Sequence, residues 1–235
     1  MRKIVILLSI LTIALVIGIS PIGDVTRINV HNAYILSDNE IRAMVAEESG
    51  NIFAFNSRSA RASIAQSPYV YRATIEKNFF RREVDIFIIE RVTVAYVRFM
   101  DAQYLHIDKD GRVLTVSVGV DSNLPIVSNI NLTKFVVGDI LHTEEEINFL
   151  KIAELASLFI TYEIDQNDIE IDISDPNNLR LNYGNIIVSL GNYNNLDYKI
   201  RIALSALPEV TSFRDLGGHL NISDINGQWV FSILT

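Results

Sequence analysis

Apolar residues run without a charge from Ile4 to Ile19, broken only by Ser9, Thr12 and Gly18, and the stretch continues through Ser20 and Pro21 to Ile22. As a helix rising 1.5 Å per residue, 4–22 is about 28 Å long. That nearly matches a hydrocarbon core of about 30 Å and predicts a membrane-spanning segment. Arg2 and Lys3 precede it and Asp24 is the first charge after it, so the positive-inside rule leaves residues 1–3 in the cytoplasm and everything after 22 outside. A cleaved signal peptide shares the basic start and apolar stretch. Gly18 and Ser20 form a small-x-small pair, yet Pro21 follows that cut and the run is long for a signal, so an uncleaved anchor is the preferred reading.

Beyond the span the pattern shortens. Val25–Val30 alternates as a strand. Ser37-Asp38-Asn39-Glu40 is a capping box ahead of Ile41, Met44 and Val45 and predicts a short helix. Asn56 or Ser57 caps a second helix carrying Ala60, Ile64 and Ala65, which stops before Pro68. Two strands follow, Tyr71–Ile75 with Tyr71, Ala73 and Ile75 on one face, and Val84–Ile89 with Val84, Ile86 and Ile88 alternating against Asp85, Phe87 and Ile89. The order β-α-α-β-β is a compact α+β unit with its helices on one face of a sheet.

From Val92 onward strands dominate. Tyr104–Ile107 and Arg112–Val116 flank Asp108-Lys109-Asp110-Gly111, whose Asp-Gly pair supplies the positive-φ positions of a hairpin. Thr143-Glu144-Glu145-Glu146 reads as a second capping box, opening a helix to about Ile160 with Ile147, Leu150, Leu155 and Leu158 on one side. Strands recur at 168–173, 179–183 and 186–190, and a helix is expected over 196–207. Leu220–Ser223 and Gln228–Leu234 then flank Asn226-Gly227 as a last hairpin. This half is β-rich with two helices.

Composition narrows the function classes. The 235 residues include no cysteine, which excludes disulfides and cysteine-ligated metals. A net charge of −8 argues against nucleic acid, and 49% apolar residues against disorder. His106, Asp108 and Asp110 have a metal-like spacing, but the simpler reading is a hairpin whose Asp side chains satisfy turn amides. Glu144-Glu145-Glu146 complements a helix dipole more readily than it forms a catalytic pair. The four histidines are never paired at i,i+4, and no nucleophile elbow, phosphate-binding loop or dinucleotide fingerprint occurs. Asn131-Leu132-Thr133 and Asn221-Ile222-Ser223 match the glycosylation sequon, which matters only in a eukaryotic secretory pathway. What stands out is the last strand, where Trp229, the only tryptophan, alternates with Phe231 and Ile233. A terminal strand at a sheet edge offers unpaired N–H and C=O groups to a partner, although Trp229 serves a core equally well.

Ile28-Asn29-Val30 with Leu36 to Ile41, then Gly50-Asn51-Ile52-Phe53, Pro68-Tyr69-Val70 and Ala73-Thr74-Ile75 resemble a POTRA domain. Ile89-Glu90-Arg91 with Val94-Ala95, the Leu105–Gly111 hairpin, Leu124-Pro125, Leu190-Gly191, Tyr198-Lys199 and Asn226-Gly227 continue the order of the bacterial cell-division family FtsQ/DivIB. The chain resembles that family along nearly its whole length. It departs at Thr93, where a junction proline is usual, at Phe79-Phe80 in place of Trp-Pro, and at Ser223-Asp224 in place of Arg-Tyr. The resemblance implies an α+β chain of a cytoplasmic tail (1–3), a transmembrane helix (4–22), a POTRA domain (23–97) and a β-domain (98–235). It implies a non-enzymatic divisome scaffold of the cytoplasmic membrane and septum, with no cofactor, metal, small-molecule substrate or nucleic acid. Its partners would be FtsB/DivIC-like and FtsL-like proteins linked to septal peptidoglycan synthesis. Carried over by position, the partner-binding residues are Tyr198, Leu220, Ile222, Gly227, Trp229 and Phe231. The alternative is a POTRA component of a secretion or envelope-assembly system, which calls for tandem POTRA units or a many-stranded barrel.

Overall fold

The computed structural model describes residues 2–19, 23–100, 102–120, 124–143, 147–164, 169–175, 177–210, 217–223 and 229–233. The chain divides into two compact units, Met1–Arg91 and Val92–Thr235. It is mixed α+β, and among the described residues the β-rich second unit carries two helices.

Helix α1 (Arg2–Ile19) opens the first unit. Its described apolar side chains, Ile4 to Leu8 and Ile10, are all exposed. The stretch Ile4–Ile19 rises about 24 Å, less than a hydrocarbon core of about 30 Å. Among the described residues no helix is long and apolar enough to cross a membrane. The remainder of the expected span, residues 20–22, lies outside the described residues.

Strands β1 (Arg27–His31), β2 (Val70–Asn78) and β3 (Glu83–Glu90) form a sheet in the order β1-β3-β2. β1 runs parallel to β3, and β2 antiparallel. Helix α2 (Asp38–Met44) starts as the capping box predicts: Ser37 Oγ accepts from Glu40 N, and the Glu40 carboxylate accepts from Ser37 N at 2.7 Å. These bonds hold the Glu40 carboxyl below its usual range. Helix α3 (Ser57–Ile64) is capped by Asn56, which accepts from the amides of Arg58 and Ser59. Ile41, Val45, Ala60 and Ile64 meet Val84, Ile86 and Ile88 in a closed core, each large aliphatic group contributing about 1.5–3 kcal/mol by burial. Tyr71 does not share the face of Ala73 and Ile75. A register shift between Val70 and Arg72 turns it outward, and its ring takes the Arg91 guanidinium at 4.9 Å. On the uncovered face Asp85 accepts from Asn29 Nδ2 at 3.1 Å and lies 3.0 Å from His31 Nε2. The His31 bond is the main reason its carboxyl titrates low.

Glu90 closes this unit. Its carboxylate accepts the backbone N–H groups of Tyr34, Ile35 and Leu36 at 2.8–2.9 Å, clamping the loop from β1 to α2 onto the end of β3.

In the second unit β4 (Ala95–Met100), β5 (Gln103–Ile107), β6 (Val113–Val118), β7 (Ile126–Ser128), β10 (Ile169–Asp172), β11 (Leu179–Tyr183), β12 (Ile186–Gly191), β13 (Gly218–Asn221) and β14 (Val230–Ile233) make one sheet. Its order is β14-β13-β12-β11-β10-β7-β4-β5-β6. The short strands β8 (Leu132–Lys134) and β9 (His142–Thr143) pair separately. The junction expected between residues 97 and 98 falls inside β4, which pairs with β5 from Ala95 onward.

Two helices line one face of the sheet. Helix α5 (Leu196–Val210) packs Leu196, Ile200, Ala203 and Ala206 into the core. Helix α4 (Phe149–Thr161) begins later than the second capping box implies. Its N-cap is Asn148, which accepts from Lys151 N, whereas Thr143 lies in β9 and Glu144–Glu146 lie outside the described residues. Its buried stripe runs through Phe149, Ile152, Leu155, Ala156 and Phe159 and leaves Leu150 exposed.

Replacing Glu90 by Ala should cost about 1–3 kcal/mol, because three amides lose a charged acceptor. Urea unfolding of the full chain should show the lower midpoint, and amide exchange should accelerate at residues 34–36.

Candidate partner-binding edge

The metal-like triad does not assemble. Asp108 Oδ1 accepts from Asp110 N at 2.9 Å and Arg112 N at 2.8 Å, as a turn aspartate does. His106 instead sets Nε2 2.8 Å from Ser117 Oγ, and burial pushes its pKa down. An open cleft of about 600 Å³ beside this hairpin is lined by Lys109, Asp110, Phe149 and Tyr193 among others. Its one described carboxylate, Asp110, is bridged by Lys109 at 2.9 Å.

The last hairpin forms as a pair of strands. β13 and β14 are antiparallel with Leu220 opposite Phe231. β13 is parallel to β12, and beyond it Ile222 N donates to Ser189 O at 2.9 Å. β13 is therefore paired on both sides and β14 on one, so among the described residues β14 is the sheet edge. Phe231 lies across Gly218, where a Cβ would come within 2.3 Å of its ring. A side chain at 218 would force the ring off the sheet.

The six residues expected at the site separate accordingly. Leu220 and Ile222 are fully buried and act as core. Trp229 and Phe231 are partly buried and pack against that core. Tyr198 sits half-exposed on α5, which rests on β12, two strands in from the edge. Gly227 lies outside the described residues. The accessible side chains of the edge are others: Val230, 62% exposed, and Ile233, 45% exposed. Val230 was legible as the alternate position between two inward-leaning aromatics.

Residues 24–91 match the family model described as "POTRA domain, FtsQ-type". The "Cell division protein DivIB" of Clostridium tetani (strain Massachusetts / E88) is 29% identical over 196 residues, 82% of this chain and 72% of that protein. Both matches support the resemblance of this chain to the FtsQ/DivIB family.

Charge is unevenly placed along the chain. Val92–Thr235 holds nine basic and nineteen acidic residues, whereas the POTRA domain is balanced at nine of each. The second unit thus presents a strongly negative field to anything approaching its edge. One of its cations is spent internally. Lys199 is 1% exposed and donates from Nζ to Asn192 O at 2.7 Å and to Asn192 Oδ1 at 3.1 Å. It ties the segment after β12 to α5, and no carboxylate pairs with it among the described residues.

Burial lowers the Lys199 pKa, so the unfolded chain holds this proton more tightly than the folded one. Stability attributable to Lys199 must therefore rise as pH climbs from the lowered folded value toward the ordinary lysine value. Urea unfolding of wild type and Lys199→Met at pH 7 and near pH 10 should show the variant losing ground to wild type at the higher pH. A gap independent of pH would mean that the ammonium is solvated.

Proposed function

We propose that this chain is a single-pass type II protein of the cytoplasmic membrane that acts at the division septum as a non-catalytic scaffold. Residues 4–22 anchor it, residues 1–3 stay in the cytoplasm, and both units lie outside. The FtsQ-type POTRA domain and the DivIB relative support the cell-division role. The exposed apolar side chains of α1, with no packing partner among the described residues, support the anchor. In this role the POTRA domain assists localisation and the second unit binds an FtsB/DivIC-like protein together with an FtsL-like one, linking them to septal peptidoglycan synthesis. No cofactor takes part.

The observation that carries the partner reading is β14. It is paired on one side, contains no charge or proline, and exposes Val230. An incoming strand gains main-chain hydrogen bonds from such an edge and specificity from alternate side chains. Phe231 is a poor probe of this contact because its loss would also disturb the core. Val230→Asp places a charge on the edge without touching the core, and should weaken co-purification of the FtsB/DivIC-like partner about tenfold or more while far-UV circular dichroism stays native. Undiminished co-purification would sink the edge reading.

Localisation gives an independent check. A fluorescent fusion of the full chain should form mid-cell bands in dividing cells, and removal of residues 4–22 should release it from the membrane. Uniform envelope fluorescence would count against the septal role.

A further inference from the structure

The sheet of the second unit has another end, and β6 forms it. The first residue of β6 is covered: Val113 N donates to Asp139 O at 2.9 Å, Gly138 N donates to Val113 O at 2.8 Å, and Arg112 bridges to Ile140. From Thr115 to Val118 no described strand lies on the outer side. Register with β5 sets Val116 opposite Leu105 and Val118 opposite Gln103, so both valines fall on the face where Leu105 is buried in the core. They are nevertheless 37% and 82% exposed, and Val136, Val137 and Ile140 are exposed on the segment flanking the start of the strand.

An open edge of this kind is normally blunted by charge or proline. The POTRA edges follow that rule, with Arg27 and His31 on β1 and Arg72, Glu76 and Lys77 on β2. Thr115-Val116-Ser117-Val118 has neither. Exposed apolar groups beside unpaired main chain mark an interaction surface.

We propose that the free edge of β6 is a second strand-addition site, which takes an extended, cationic segment of another protein with apolar residues at alternate positions. Main-chain bonds would extend the sheet by one strand past β6. The alternate apolar side chains would continue the face of Val116 and Val118. Cationic character follows from the field: ten more acidic than basic residues in this unit attract a basic segment at long range and repel a second copy of the chain. This site and β14 lie at opposite ends of one sheet, so both can be occupied together.

The test uses the full chain in detergent carrying Val230→Asp, which closes the other edge, and a short synthetic peptide alternating valine with lysine. Hydrogen exchange should slow at the amides of residues 115–118 when the peptide is present. The protection should weaken with added salt, and Val118→Lys should lower the peptide affinity about tenfold. Val118 is too exposed for that change to disturb the fold, which circular dichroism would verify. The proposal is overturned if 115–118 gain no protection, or if a valine–glutamate peptide protects them equally. Sedimentation showing the peptide-free chain self-associated, with those amides already protected, would assign the edge to a second copy instead.

Discussion

An open sheet satisfies its main chain everywhere except along two lines, and that constraint organises the second unit. Each interior strand gives its N–H and C=O groups to two neighbours. The outermost strands give theirs to one, and the unmet half must find water or another chain. The connections bring two helices against this open sheet. β7 and β10 are parallel neighbours, as are β12 and β13, and parallel neighbours need a crossover that passes over a face. The segments between them contain α4 and α5 respectively. Both helices pack into one core, so the apolar face is consumed by the crossovers and the edges are left to β14 and β6.

Burial then decides which residues near an edge can speak to a partner. Leu220 and Ile222 lie beside β14 yet are fully buried, so they set the position of the edge without being part of its surface. Gly218 acts in the same indirect way, by leaving room for the Phe231 ring. Lys199 does so further in, holding the chain after β12 to α5 through Asn192. The exposed members of the edge are fewer and chemically plainer, chiefly Val230 and Ile233. Their plainness fits recognition through the main chain, in which the side chains need only avoid charge and bulk.

Local signals in the sequence were legible where the deciding interaction is itself local. Ser37 and Glu40 lie within one turn, and their reciprocal bonds form as the spacing predicts; the Asp108 turn is equally self-contained. Thr143 presents the same capping pattern, yet as part of β9 it pairs with Leu132 of β8, and a strand partner eleven residues away has no mark in a capping motif. Tyr71 alternates correctly with Ala73 and Ile75 until a register shift against β3 turns it out. The last strand could be found from its alternation, whereas the fact that it forms an edge depends on the order of all nine strands. The edge status of β6 was illegible for the same reason: its sequence reads as one arm of a hairpin, and nothing in a hairpin says that its outer side stays unpaired.

Set side by side, the two units treat their edges in opposite ways. The POTRA domain, residues 24–91, is charge-balanced and places ionised groups along both outer strands, which discourages strand addition. The second unit is strongly acidic overall but has uncharged outer strands at both ends of its sheet. Net charge of one sign keeps copies of a chain apart, so uncharged edges can persist without the chain pairing with itself. The acidic surface and the bare edges therefore belong to one arrangement. The field suppresses the self-pairing that such edges invite, and the same field favours strands that carry positive charge.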